Sequence, residues 1–388
     1  MISVDEALAH LFALTSPVGT ERVSLSQAAG RVLATDAIAT RDQPPFSASA
    51  MDGYAVAGPV STRASYRVVG ESAAGAAFSG LVTKCDAVRI FTGAPVPAGC
   101  DTVIIQENVS REGDQITITD APSGSNIRPA GGDFRIGQSL KSSRRLSPND
   151  VALLAAMNIP LVDVSRKPEV ALISTGNELV MPGETPGPDQ IIASNTFGLK
   201  ALLEGIGANV RILPIARDNV ASLEQAFGLS DGADLIVTIG GASVGDHDLV
   251  GQVAQRLGMQ QRFYKIAMRP GKPLMAGRMG DAMMVGLPGN PVSAMVCGQV
   301  FLRPVIDAMQ GLPKQKRLPL TATLAQAVAK NGPREHYMRA IVQNQKLTAF
   351  ERQDSSMLTV LADANALLIR PPHDPAQPAG AQIQYLPI

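Results

Sequence analysis

The chain has 388 residues, 45% of them apolar, with 34 Lys plus Arg against 34 Asp plus Glu. That length exceeds a single hydrophobic core and predicts about two to four domains, while a net charge of zero leaves no basic footprint for nucleic acid or an anionic membrane surface. Cys85, Cys100 and Cys297 are an odd count without a Cys-x-x-Cys pair, which argues against a disulfide framework or thiolate zinc site and fits a reducing cytoplasm. In chain order, the N-terminus carries acids where a signal peptide needs positive charge, and no stretch approaches ~18 uninterrupted apolar residues, so a soluble, unprocessed chain is expected. Ser3-x-x-Glu6 is a capping box opening a helix over residues 3–14, because the serine caps an orphan N–H and the glutamate reaches back. Short β-rich runs follow at 66–69, 87–91, 102–106 and 115–119, with Glu112-Gly113-Asp114 as a hairpin turn. Ser147-Pro148-Asn-Asp150 starts a second helix with a capping serine, a first-turn proline and an acid at the positive end of the dipole. A strand is expected at 159–164.

From 168 onward strands at 170–174, 210–215, 235–239, 261–266 and 283–287 alternate with helices at 196–204, 222–229, 249–257 and 291–309. This predicts a parallel, helix-covered sheet. The text then turns β-rich again, with runs at 318–324, 336–343 and 366–369 and a helix near 357–361. The expected fold class is α/β multidomain. A central parallel α/β sheet domain (168–313) is flanked by an N-terminal mixed domain (1–40 plus 141–167), a small β-rich domain (41–140) and a C-terminal β domain (314–388).

Open α/β sheets bind ligands beyond the carboxyl ends of their strands, where loops are free of packing duty. There this chain puts Thr175-Gly-Asn-Glu178, Arg217-Asp218-Asn219, the loop from Gly240 to Asp248, the stretch from Lys265 to Lys272, and Pro288-Gly-Asn-Pro291. Glu178, Asp218 and Asp248 offer hard oxygens suited to Mg²⁺, while Lys265, Arg269 and Lys272 can neutralise phosphate oxygens. Gly240, Gly241 and Gly245 let backbone N–H groups approach an anion. Asn290 suits an N-cap and Pro291 the first helical position, so that helix start is read as an oxyanion pocket. Asp246 reads as solvent-facing, and His247 not as a metal ligand, since His10, His336 and His373 are scattered. Lys272 precedes Pro273, which excludes an ordinary P-loop. Singly, each segment reads equally well as a turn, loop or cap; together on one rim they point to a phosphate-and-cation site.

These segments also carry a resemblance. Ser49-Ala-Met-Asp52-Gly-Tyr-Ala55, Arg89-Ile-Phe-Thr92-Gly-Ala-Pro, Ser174-Thr-Gly-Asn-Glu178-Leu, Gly240-Gly-Ala-Ser-Val-Gly245, Pro270-Gly-Lys-Pro273 and Leu287-Pro-Gly-Asn-Pro-Val-Ser-Ala294 resemble the molybdopterin molybdenumtransferases, the MoeA-like family that includes the gephyrin E domain. The resemblance implies a cytoplasmic homodimer of elongated four-domain subunits. Such an enzyme takes adenylated molybdopterin and molybdate, inserts the metal into the dithiolene and releases AMP with Mg²⁺ assistance. A molybdopterin adenylyltransferase and molybdoenzyme apoproteins or their chaperones are its implied partners, with no nucleic acid or membrane. Carried onto this sequence, it gives catalytic roles to Asp52, Thr92, Asp133, Glu178, Asp218 and Asp248, with Glu178, Asp218 and Asp248 holding the metal. Substrate-binding roles fall to Gly240, Gly241, Ser243, Gly245, Lys265, Arg269, Lys272, Pro288, Asn290 and Pro291, and further along to Arg339 and Ser355. It also implies that the distant segments meet across the dimer cleft.

Three departures bear on the ligand set. Asn177 stands where the family has an acid, Arg269 where lysine is common, and glycine precedes Asp133 where an acid is usual. Asn177 keeps an amide oxygen able to coordinate, and Arg269 keeps the charge while favouring bidentate phosphate contact. Competing readings are a molybdopterin adenylyltransferase or nicotinamide-nucleotide processing enzyme built on the same sheet domain, and a non-catalytic scaffold. The flanking β domains and Met51-Asp-Gly-Tyr54 speak against the first two; turnover discriminates the third. Molybdate against tungstate, and the order of AMP release and metal insertion, stay open.

Overall fold

The computed structural model describes residues 1–241 and 249–388. A mixed six-stranded sheet forms its centre, in the order Asn209–Ile212, Glu169–Ser174, Leu235–Ile239, Ala282–Leu287, Met275–Met279, Gln260–Tyr264. The first four strands are parallel, but Met275–Met279 runs antiparallel to both its neighbours. The expectation of an all-parallel sheet is corrected here. Met279 pairs with Ala282 across a two-residue turn in which Gly280 adopts φ +59°, so the chain doubles back as a hairpin and needs no helical crossover.

Alternation along the strands explains how both faces are buried. Val170, Leu172, Val237 and Val285 join one apolar cluster with the helices Asn195–Glu204 and Pro291–Met309. Ala171, Ile173, Ile236 and Met284 join a second cluster with Val220–Gly228 and Leu249–Arg256. The helix Val4–Leu14, started by the Ser3/Glu6 capping box, puts Val4, Leu8 and Leu11 into the first cluster. The opening residues therefore pack on the central sheet and not with the strands that follow them. Pro291–Met309 is long and apolar enough to cross a membrane, yet 78% of it is buried, as suits a core helix.

Thr20–Ser24, Leu161–Ser165, Val32–Leu33 and Arg144–Arg145 make a small antiparallel sheet beside the helix Pro148–Ala156, whose capping box is Ser147/Asp150. A separate six-stranded sheet contains Gly53–Val56 and Asp86–Ile90 as neighbouring inner strands. At the C-terminus Glu335–Gln343, Lys346–Ala349, Leu320–Leu324, Gln382–Pro387 and Ala366–Arg370 pair in turn, and the last pairs back with the first, closing a barrel. The two-residue strand Met268–Arg269 leaves the central domain and pairs with Glu335 and His336 of that barrel. This join brings the barrel's loops to the rim of the central sheet.

Candidate functional site

Two cavities adjoin at the carboxyl ends of the central strands and share Pro273, Pro288 and Asn290 in their walls. The larger, of about 530 Å³, holds Glu178, Asp218, Gly240, Gly241 and Pro291. Its acidic wall is built by cross-bracing between two strand-end loops. The Asn177 N–H donates to Asp218 Oδ2 at 3.3 Å, and the Asp218 N–H donates to Asn177 Oδ1 at 3.1 Å. Arg217 Nη1 adds bonds to the carbonyls of Asn177 (3.1 Å) and Leu179 (3.0 Å). The amide oxygen of Asn177 thus accepts from the Asp218 backbone, and the side chain braces the acidic wall.

Glycine is required where these loops come closest. At Gly176, φ is +147° and a Cβ would lie 2.3 Å from Glu178 Oε2, so the glycine lets that carboxylate fold over the strand end. Gly240 and Gly241, at φ +94° and +66°, pass directly under Thr175, where a Cβ on Gly240 would stand 2.7 Å from its carbonyl oxygen. Ser243, Gly245, Asp246 and Asp248 lie outside the described residues.

The smaller cavity, of about 280 Å³, is cationic: Arg269, Lys272 and Arg334 line it with Asn290 and Ser355. None of the three cations makes an ion pair among the described residues. Asp354, the acid in this wall, has its Oδ1 taken by the backbone N–H (2.9 Å) and hydroxyl (2.6 Å) of Ser356. The local field shows in buried His336, whose imidazole is pushed down to about 4 by burial first and then by Arg269, Arg339, Arg370 and Arg334. Arg334 was not anticipated from the sequence. Its one signal is a cation in the Asn331-Gly-Pro-Arg334 turn immediately before a barrel strand.

Asn290 stands at the N-cap position of Pro291–Cys297, but its side chain makes no capping bond; instead its Nδ2 donates to Ser355 Oγ at 3.2 Å. The expected capping role is thus corrected, and the amide ties the two domains together. Arg339 is 1% exposed and lines neither cavity, standing behind the loop that carries Ser355. Lys265 also lines neither; at φ +74° its ammonium lies 5.0 Å from the Tyr264 ring centroid. In the separate six-stranded sheet, Asp52 Oδ1 accepts from the Thr92 N–H (2.7 Å) and hydroxyl (2.8 Å), and those bonds lower its pKa. Asp133 is exposed, with its N–H bonded to the Gln43 carbonyl at 2.9 Å. Asp52, Thr92 and Asp133 line neither cavity of their own chain.

Among the described residues no group of three His, Cys, Asp or Glu side chains is placed to hold a metal. Glu178 and Asp218 nevertheless supply two carboxylates to one cavity, which fits Mg²⁺, an ion that is commonly held by one or two carboxylates plus phosphate oxygens and water.

The layout is that of a multidomain α/β protein whose central sheet carries a ligand site at its strand-end rim. Residues 2–158 match the family model for the MoeA N-terminal region (domain I and II), 171–308 that for a probable molybdopterin binding domain, and 321–388 that for the MoeA C-terminal region (domain IV). The chain is 39% identical to the molybdopterin molybdenumtransferase of Haemophilus influenzae, over 84% of this chain and 82% of that one. Identity is 35% to molybdopterin molybdenumtransferase 2 of Mycobacterium tuberculosis, over 93% of both. A crystal structure of a molybdopterin biosynthesis moeA protein from Pyrococcus horikoshii OT3 superposes with TM-score 0.88 at 26% identity, covering 100% of each chain. The chain belongs to the molybdopterin molybdenumtransferase (MoeA) family, a family of enzymes of molybdenum cofactor biosynthesis.

Proposed function

We propose that this chain transfers molybdenum from molybdate to adenylated molybdopterin and releases AMP with Mg²⁺ assistance. The observation that carries this reading is the pair of adjoining cavities of opposite character, one acidic and one cationic, on a single strand-end rim. A nucleotide phosphate with its cation suits the first, where Glu178 and Asp218 would hold Mg²⁺ and the Gly240–Gly241 backbone admits close approach. A small tetrahedral oxyanion suits the second, because Arg269, Lys272 and Arg334 outnumber the one carboxylate, Asp354, in its wall and make no ion pair among the described residues. When bound, Mg²⁺ would supply charge neutralisation at the phosphoanhydride that separates AMP from the pterin. The protein's part is to hold the two oxyanions apart across the Pro288–Asn290 wall.

A homodimer is part of the same proposal. Asp52 and Thr92 are fixed to each other on a domain that lines neither cavity of its own chain, so a partner copy would be needed to bring them to the rim. Light scattering should give a dimer at micromolar concentration, and a monomer would count against it. The function itself is tested by incubating the purified protein with adenylated molybdopterin. AMP should appear only when both molybdate and Mg²⁺ are present, together with active cofactor. AMP release indifferent to molybdate, or none at all, would refute the assignment.

A further inference from the structure

Three buried side-chain atoms lack a hydrogen-bond partner among the described residues: Thr175 Oγ1, Thr238 Oγ1 and Arg339 Nη2. The third is the costliest to bury, since a guanidinium loses a charged group's hydration as well as a donor's. The side-chain hydrogen bonds of Arg339 all go to one short loop. Its backbone N–H and Nε donate to Gln353 Oε1 at 3.0 and 3.1 Å, and its Nη1 donates to the Asp354 carbonyl at 2.6 Å. Gln353 returns a bond from Nε2 to the Arg339 carbonyl at 2.9 Å. The next residue along, Ser355, meets the central domain: its carbonyl accepts from the Val292 N–H at 3.1 Å and its hydroxyl accepts from Asn290 Nδ2 at 3.2 Å. Gln353, Asp354, Ser355 and Asn290 are all walls of the cationic cavity.

We propose that Arg339 is a positioning residue for oxyanion binding: from behind the wall it latches the 353–355 loop onto the start of the helix Pro291–Met309, and it keeps a charge that no described residue pairs in contact beside the cavity. A latch alone would be served by an arginine whose charge is cancelled, as Arg370 is by Asp374 in the same barrel. Among the described residues Arg339 has no carboxylate in ion-pair contact, and its Nη2 has no hydrogen-bond partner. Asp354 acts on Arg339 only through space, without contact, and a buried guanidinium so incompletely offset disfavours the empty cavity and favours an anion in it. The depressed imidazole of His336, with Arg339 among its causes, is consistent with that field. The cavity exists only where the barrel loop meets the central domain, so the residue that fixes the loop also fixes the site. The inference rests on the reading of this cavity as the oxyanion site.

The test uses the full chain, with molybdate alone and AMP alone as probes in calorimetric titrations, and a thermal melt of each variant. Methionine fills the stem's volume and removes a charge that burial penalises, so Arg339→Met is expected to fold. It should weaken molybdate binding about tenfold, through loss of a nearby positive charge and of the latch on the wall, and leave AMP affinity unchanged. Arg339→Lys, similar in length but charged, should recover part of the loss; a packing role alone predicts no difference between lysine and methionine. If molybdate binding is unaltered in Arg339→Met while Arg334→Ala abolishes it, the positioning role is overturned and the oxyanion site stands. Equal loss of molybdate and AMP binding would also overturn it, since Arg339 would then hold the domains together without regard to the anion. Failure of the wild-type chain to bind molybdate at all would remove the oxyanion site, and the inference with it.

Discussion

Two cavities a wall apart on the same rim are made by opposite means. The acidic one is a product of the central sheet alone: Glu178 and Asp218 leave neighbouring parallel strands, and Asn177, Arg217 and two tight glycines hold their loops. The cationic one is a junction, with Arg269 and Lys272 from the central domain and Arg334, Gln353 and Ser355 from the barrel. The difference teaches that a strand-end rim by itself yields a cation and nucleotide site, whereas the second anion pocket depends on docking another domain. The one acid in the cationic wall, Asp354, turns its Oδ1 to Ser356 and forms no ion pair with the arginines among the described residues, so their charge stays available to an anion.

The sharpest way to break that comparison is to remove a carboxylate. Glu178→Gln should fold normally and lose about 100-fold in Mg²⁺-dependent AMP release while molybdate binding is untouched. A molybdate defect in this variant would show that the cavities are not separate.

A second prediction concerns pH. The folded state holds His336 neutral down to about 4, against an ordinary value of 6.5. Below pH 6.5 the unfolded chain takes up a proton that the folded chain refuses, so stability falls as pH drops from 6.5 towards 4, by up to about 3 kcal/mol, and is constant above that window for this group. Urea melts across the range should show His336→Gln flattening the slope. Because the cause includes four arginines, saturating molybdate should also raise the imidazole's pKa, which an NMR titration reads directly.

On the cationic side, Lys272→Ala should raise the molybdate needed for half-maximal turnover about tenfold, with little change in the dependence on adenylated molybdopterin. Equal shifts in both dependences would merge the two sites into one. The smallest effect separates two helix starts that look alike in sequence. Ser147→Ala should cost about 1 kcal/mol by losing a working cap, whereas Asn290→Ala loses no capping bond and should act on anion binding instead.

Much of this was legible because it is local. The capping boxes at Ser3 and Ser147, the strand at 235–239 and the strand-end position of Glu178 and Asp218 follow from residues within a few positions of each other. What escaped depends on distant partners. No strand is expected at Met275–Met279, where Gly277 and Arg278 interrupt the apolar pattern, and only its pairing with Ala282–Leu287 reveals both the strand and its direction. Asn290 carries the signature of a cap until Ser355, far along the chain, claims its amide. Arg334 and Arg339 lie five residues apart on one barrel edge, and nothing local says that the first lines the cavity while the second is buried behind it.

The claim of two charge-sorted cavities is tested most directly by crystals grown with AMP, Mg²⁺ and tungstate, using the anomalous signal of tungsten to place the oxyanion. The tungsten peak should fall among Arg269, Lys272 and Arg334, with the AMP phosphate on the Glu178 and Asp218 side of Pro288. A tungsten peak on the acidic side, or AMP phosphate among the arginines, would contradict the account.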